Sequence, residues 1–102
     1  MGYSFRQLKE QREDAIAIED WAVVAELHEQ IAERLVAMYD FVGSINTSIA
    51  AAECYVKIEN YDMARRALSL AMNRCNIITR LKPMVREKME WLNGIINSCQ
   101  VK

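Results

Sequence analysis

The chain has few of the residues that tight turns, disulfides and metal sites require. Its 102 residues include three glycines, one proline, three cysteines and one histidine. So few turn formers argue against β-architectures with many tight connections. Cys54, Cys75 and Cys99 are odd in number and widely spaced, without a Cys-x-x-Cys pair. This spacing favours a reducing compartment and plain packing roles over a disulfide or a zinc site.

Long apolar runs are also missing. No stretch reaches the roughly 18 apolar residues that indicate a transmembrane helix, so we expect no membrane partner. Residues 1–10 carry charge and lack the apolar block of a secretory signal, which predicts a cytoplasmic location. With 52% hydrophobic and 26% charged residues, the composition predicts one globular domain over residues 1–102.

Charge is unevenly distributed along the chain. Residues 1–56 hold ten acidic and four basic side chains, a net charge of −6. Residues 57–102 hold four acidic and nine basic side chains, a net charge of +5. The basic half could attract an acidic protein segment or the acidic half of another copy of the chain.

A four-residue motif occurs twice, forty residues apart, as Ile18-Glu19-Asp20-Trp21 and Ile58-Glu59-Asn60-Tyr61. Each copy is followed by core-type positions at the same offsets: Val24, His28, Ile31, Leu35 and Met38, then Ala64, Leu68, Ala71, Cys75 and Ile78. Spacings of three and four place these side chains on one face of a helix. The repeat predicts an all-α fold of stacked helix-turn-helix units.

The pattern predicts five antiparallel helices with turns near residues 19–20, 43–44, 59–60 and 81–83. Ser4, Asp20, Ser44 and Asn60 are the expected N-caps, and Gly43 is the expected stop of the second helix.

The second helix, expected over residues 21–42, carries a seven-residue repeat of core positions. Such a seam could pack within one chain or against a second one. The fourth helix is expected to run from Tyr61 to about Arg80, and the fifth from Pro83 to about Ser98.

Residues 45–78 resemble a tetratricopeptide repeat. Ala52, Tyr55, Tyr61, Ala64, Leu68 and Ala71 stand at the spacing of that family. The resemblance implies about 2.5 units, at about residues 4–42 and 45–81, followed by a capping helix at 83–99. The first unit matches less well, because Arg12 replaces the small residue and Val24 the alanine. The period of 40 differs from the 34 typical of the family, and its repeat-ending proline is missing from both units.

The resemblance implies an adaptor or small chaperone that holds a helical or extended segment of a protein or peptide partner. In that family the first helix of each pair lines a concave groove. Carried over to this chain, the groove would comprise Asn46, Ile49, Glu53 and Lys57, with Arg6, Lys9 and Glu13 before them and Arg86, Met89 and Asn93 after them. The alternative is that Ile49 is buried core and the other side chains are solvated.

A second hypothesis is a nucleic-acid-associated regulator. Its basic patch would comprise Arg65, Arg66, Arg74 and Arg80, with the basic residues that follow. A solvated face is the more common reading of such a patch, and the acidic first half would repel nucleic acid. We therefore expect a protein partner, and a homodimer through the seam or through acidic-to-basic contact.

No enzymatic motif is present. The sequence has no phosphate-binding glycine loop and no serine or cysteine in a recognisable nucleophile motif, so we expect no catalytic residues, no cofactor and no metal. Glu26, Glu29 and Glu33 share a helical face that is expected to be solvated. His28 is expected to be a hydrogen-bonded core histidine or, alternatively, a pH-sensitive contact at an interface.

Overall fold

The computed structural model describes residues 2–100, which contain no β-strand. The helices are α1 (Phe5–Ala17), α2 (Trp21–Ala37), α3 (Phe41–Lys57), α4 (Tyr61–Arg74) and α5 (Lys82–Gln100), with a short 3-10 helix (Thr79–Leu81) before α5. Each α-helix packs against the next one along the chain, in antiparallel order. The prediction of an all-α fold with five helices is confirmed.

Three turns of the same design connect the first four helices. The middle residue of each turn has a left-handed backbone, with φ of 55°, 61° and 58° at Glu19, Tyr39 and Glu59. The next residue caps the following helix by accepting a hydrogen bond from a first-turn N–H; these caps are Asp20, Asp40 and Asn60. The structural unit is therefore one helix and one turn of 20 residues, half the period that the sequence motif indicated.

The middle turn illustrates how one helix ends and the next begins. The Asp40 N–H donates to the Leu35 carbonyl oxygen at 2.8 Å, and the Tyr39 N–H donates to Val36 at 2.9 Å. These bonds satisfy carbonyl groups that the end of α2 would leave free, the pattern called a Schellman motif. The same two bonds recur in the turns at 18–20 and 58–60.

The predicted turn at 43–44 is wrong. Gly43 lies in the first turn of α3, where its N–H donates to Asp40 Oδ1 at 2.9 Å. A Cβ at this position would lie 2.5 Å from Asp40 Oδ2, so the glycine leaves room for the capping carboxylate. Ser44 is not an N-cap: it is fully buried, and its hydroxyl donates to the Ala32 carbonyl oxygen at 2.8 Å. Its role is to join α3 to α2.

The predicted seam from Trp21 to Val42 is also wrong, because α2 ends at Ala37. Met38 lies in the turn, where it is 52% exposed. The fourth helix ends at Arg74 rather than Arg80, and the connection before α5 contains the short 3-10 helix. In this connection, Arg80 lies at the position that is equivalent to the caps Asp20, Asp40 and Asn60 in the 20-residue unit. Its side chain has no oxygen that could accept a hydrogen bond from a first-turn N–H, so it cannot cap a helix. The predicted caps Ser4, Asp20 and Asn60 are confirmed.

Helix α3 is the centre of the fold. It packs against α2 and α4 and also contacts α5. Its Ala51 and Ala52 have no exposed surface, and small side chains of this kind allow neighbouring helices to approach closely. The largest fully buried side chains of the core are Leu8, Val24, Ile31, Ile45, Leu68, Val85 and Leu92. Because α2 and α4 both run antiparallel to α3, they flank it in the same direction.

Within residues 2–100, no helix combines the length and the apolar composition needed to cross a bilayer.

The turn at Tyr39 can be tested by comparing Tyr39→Gly with Tyr39→Ala. Alanine is strained in the left-handed region, whereas glycine is not, so we expect the glycine variant to be more stable by roughly 0.5–1 kcal/mol. In a helix that continued to residue 42, the order would reverse, because glycine costs about 1 kcal/mol relative to alanine in a helix interior. Urea denaturation of the two variants distinguishes these cases.

Candidate functional site

A groove lies between α2 and α4, with α3 below it. Its volume is about 280 Å³. The residues that line it are Glu26, Glu29, Gln30, Ala32 and Glu33 from α2, Ser48 from α3, and Arg66, Ala67, Leu70 and Arg74 from α4. We call this cavity the α2–α4 groove.

The two sides of the α2–α4 groove carry opposite charges. Glu26, Glu29 and Glu33 form an acidic wall on α2. Arg66 and Arg74 form a basic wall on α4. Glu26 and Arg66 are each the sixth residue of their helix, and the two helices start at equivalent caps. These two side chains therefore stand at the same level along the groove, with Glu33 and Arg74 about two turns further on.

Hydrogen bonds to α3 position one charged side chain of each wall. The Tyr55 hydroxyl donates to Glu29 Oε2 at 2.6 Å, and Arg74 Nη1 donates to Ser48 Oγ at 2.7 Å. Burial raises the pKa of Tyr55, and the hydrogen bond to the Glu29 carboxylate raises it further. Burial lowers the pKa of Arg74, while the nearby Glu33 carboxylate opposes that shift. These hydrogen bonds fix Glu29 and Arg74 against α3, and Glu33 lies close enough to Arg74 to oppose the lowering of its pKa.

No ion pair crosses the groove within residues 2–100. Among the residues that the structure describes, the ion pairs are Arg6 with Glu10 and Lys88 with Glu53, both elsewhere. The two walls therefore share one groove, but among the described residues no direct ion pair neutralises the charges of Glu26, Glu33 and Arg66. The same part of the chain contains no group of three His, Cys, Asp or Glu side chains that could hold a metal ion.

The stripe predicted on α3 lies on the opposite side of this helix from Ser48 and Tyr55, at 100° per residue. Asn46 is exposed, but Ile49 is buried in the core at 7% exposure. Glu53 accepts a hydrogen bond from Lys88 Nζ at 2.7 Å, and the Lys57 ammonium lies 4.0 Å from the centre of the Trp21 ring. The burial of Ile49 agrees with the alternative that the sequence left open; a partner site on the rest of the stripe stays a prediction.

The other predicted groove residues lie in separate places. Arg6, Lys9 and Glu13 line a shallow depression of about 450 Å³ formed by α1 alone. Met89 and Asn93 line a cleft of about 190 Å³ between α4 and α5, and Arg86 is exposed on α5.

The alternative basic patch is divided between three places. Arg66 and Arg74 belong to the α2–α4 groove, whereas Arg65 lines the cleft between α4 and α5. Arg80 lies in the 3-10 helix, beyond the end of α4. In the groove, the arginines face carboxylates rather than forming a continuous basic surface.

The sequence alone does not assign Glu26, Glu29 and Glu33 to a site, because a shared acidic face is usually solvated. One signal was available. The forty-residue offset that relates the two motifs also relates Glu26 to Arg66 and Gln30 to Leu70. Opposite charges at matched positions of two helices that run in the same direction place an acid and a base at the same level on the two sides of a groove, once a helix is known to lie between them.

His28 lies on another side of α2, where this helix packs between α1 and α3. Its Nδ1 atom is buried and has no hydrogen-bond partner. Burial lowers the pKa of His28 to about 4; the Arg12 guanidinium on α1 also lowers it, and the Glu53 carboxylate on α3 opposes the shift. His28 is thus a partly buried histidine of the packed structure, without the Nδ1 hydrogen bond expected of a core histidine.

Comparison of this chain with protein-family models, with curated proteins and with solved structures finds no match.

Proposed function

We propose that this protein is a non-enzymatic protein–protein interaction module, an adaptor or small chaperone that binds a segment of a partner chain in the α2–α4 groove. The observation that carries the proposal is the pair of oppositely charged walls with no ion pair between them. A partner segment that carries both charge signs would neutralise both walls when it binds.

The composition of the groove favours a polypeptide as the ligand. Ala32, Ala67 and Leu70 offer apolar contact between the charged side chains. Protein interfaces combine such an apolar centre with a polar rim that fixes orientation. A helical or extended segment would place its apolar side chains against Leu70 and its charges against Glu26 and Arg66.

We also propose that the chain is a divergent tetratricopeptide-like protein, because its antiparallel helices follow one another with a regular unit. In that family, ligands meet the first helix of each pair, which here is the face of Asn46 and Glu53. Since Ile49 is buried and Glu53 is paired with Lys88, we place the partner on the opposite side of α3.

Nucleic acid is the less favoured ligand. Phosphate groups that approached Arg66 and Arg74 would also approach the carboxylates of the acidic wall, and the repulsion would offset the attraction.

Affinity capture from a cell extract tests the site with matched charge reversals. Arg66→Glu removes a positive charge from the basic wall and adds a carboxylate to a groove that already holds Glu26, Glu29 and Glu33, whereas Arg6→Glu makes the same change in net charge on the exposed surface of α1. We expect Arg66→Glu to lose the captured proteins and Arg6→Glu to retain them, because only the first substitution alters the groove.

Circular dichroism must show that both variants keep the helical content of the wild type, and nuclease treatment must leave the captured proteins unchanged. Equal capture by the two variants would remove the site from the α2–α4 groove. Loss of all capture after nuclease treatment would favour the nucleic-acid hypothesis instead.

A further inference from the structure

We infer that the partner of the α2–α4 groove is a second copy of this chain, bound in a symmetric dimer. This inference rests on the proposed function, since it names the partner of the same site. It depends on the levels at which the charged residues stand along α2 and α4, and on the fact that these two helices run in the same direction.

A two-fold axis along the groove brings the grooved faces of two copies together. Rotation by 180° about such an axis exchanges left and right across the groove and keeps the level along it. The acidic wall of one copy then faces the basic wall of the other, on both sides of the axis. A surface of this kind is self-complementary, which is the requirement for an interface between identical chains.

The levels of the charges agree with this pairing. Glu26 would face the second copy's Arg66, because each is the sixth residue of its helix. Glu33 would face the second copy's Arg74, which stands one residue further along its helix. Gln30 and Leu70, both tenth in their helices, separate the two charged levels. Each copy thus supplies Glu26, Glu33, Arg66 and Arg74 to these contacts, and each of the four meets its opposite; the third acid of the wall, Glu29, accepts the hydrogen bond from Tyr55.

The symmetric arrangement also predicts that association stops at two copies. The chain as a whole is acidic over residues 1–56 and basic over residues 57–102. Contact of the acidic half of one copy with the basic half of the next would be head-to-tail, and it would continue into a ring or an open chain of copies. When both walls of one groove are used in one two-fold contact, no complementary wall remains free.

Sedimentation velocity of the purified full-length protein tests the dimer through a charge swap. The wild type is expected to sediment as a dimer whose dissociation constant rises with salt, because the contacts are charged. Glu26→Arg alone and Arg66→Glu alone are each expected to weaken the dimer on the order of 100-fold. The contact between positions 26 and 66 occurs twice in the dimer, and either substitution makes it repulsive at both places.

Two further samples restore the opposite charges and so separate this inference from a general loss of stability. A double variant with Glu26→Arg and Arg66→Glu is expected to dimerise again. An equimolar mixture of the two single variants is expected to form a mixed dimer, in which each contact again joins an arginine to a glutamate. Arg6→Glu is the control and is expected to dimerise as the wild type does.

A wild type that stays monomeric at high micromolar concentration in low salt would overturn the inference. The inference would also be overturned if neither single substitution weakened the dimer. The same holds if the double variant and the mixture of single variants failed to restore dimerisation. The proposed function would survive these results if affinity capture still depended on Arg66, because capture would then report a different partner in the same groove.

Discussion

Lowering the pH from near 7 to about 4 is expected to destabilise the wild type by roughly 1–2 kcal/mol more than a His28→Leu variant, because solvent screening at the partly exposed ring reduces the effect of its pKa shift. The histidine has a folded-state pKa of about 4, below its ordinary value of 6.5. The unfolded chain therefore binds this proton more readily than the folded chain does. The stabilisation is fully present above the ordinary pKa and is lost as the pH falls toward the folded pKa.

The physical cause is the packing of α2 between α1 and α3. Protonation would place a second positive charge near Arg12, on a ring that burial partly removes from water, and the Glu53 carboxylate compensates only in part. Leucine suits the comparison, because it occupies the corresponding positions 8 in α1 and 68 in α4, both buried.

Urea denaturation of both proteins at a series of pH values measures the difference. Protonation of carboxylates also changes stability below about pH 5, but both proteins share this contribution, so the difference between them isolates His28. Parallel stability curves for wild type and variant would show that the histidine titrates with an ordinary pKa in the folded state.

Ala64→Leu is expected to destabilise the fold by about 1–3 kcal/mol, because extra methylene groups in a close helix contact force side chains or backbone to move. Ala64 lies in the first turns of α4 and has no exposed surface. The helices of this protein are held close by small residues at such positions, notably Ala51 and Ala52 of α3.

Ala22→Leu is the matched control for this substitution. Ala22 lies in the first turn of α2 and is exposed, so the same added volume meets solvent. We expect its free energy of unfolding to stay within about 0.5 kcal/mol of the wild type. Equal effects of the two substitutions, measured by urea denaturation, would mean that Ala64 is not at a helix–helix contact.

The helices and two of their turns could be predicted from the sequence, because their signals are local. In both copies of the motif, the capping residue (Asp20 or Asn60) follows a residue with a left-handed backbone and precedes an aromatic residue. A third copy, Met38-Tyr39-Asp40-Phe41, differs from the other two at its first two positions, so a search for the motif does not find it. Gly43, three residues after Asp40, is a stronger general signal for a helix end. In this protein it instead donates a hydrogen bond to the Asp40 carboxylate and leaves room for it.

The candidate site was only partly predictable, because it depends on which helices lie side by side. Arg66 and Arg74 were recognised as basic, but the carboxylates opposite them are forty residues away in sequence and come from a separate helix. The stripe on α3 has correct helical spacing, yet spacing alone does not show which face is covered. Ile49 faces the core because α3 has neighbours on three sides, which only the packing of α2, α4 and α5 reveals.

Site-specific photo-cross-linking tests most directly the claim that the α2–α4 groove is the interaction surface. A photo-reactive amino acid is placed at Gln30, which lines the groove, or at Asn46, which is exposed on the opposite side of α3. Irradiation in a cell extract and as purified protein is expected to give protein adducts from position 30 and few from position 46. Adducts from position 46 with none from position 30 would contradict the account and return the binding surface to the stripe on α3.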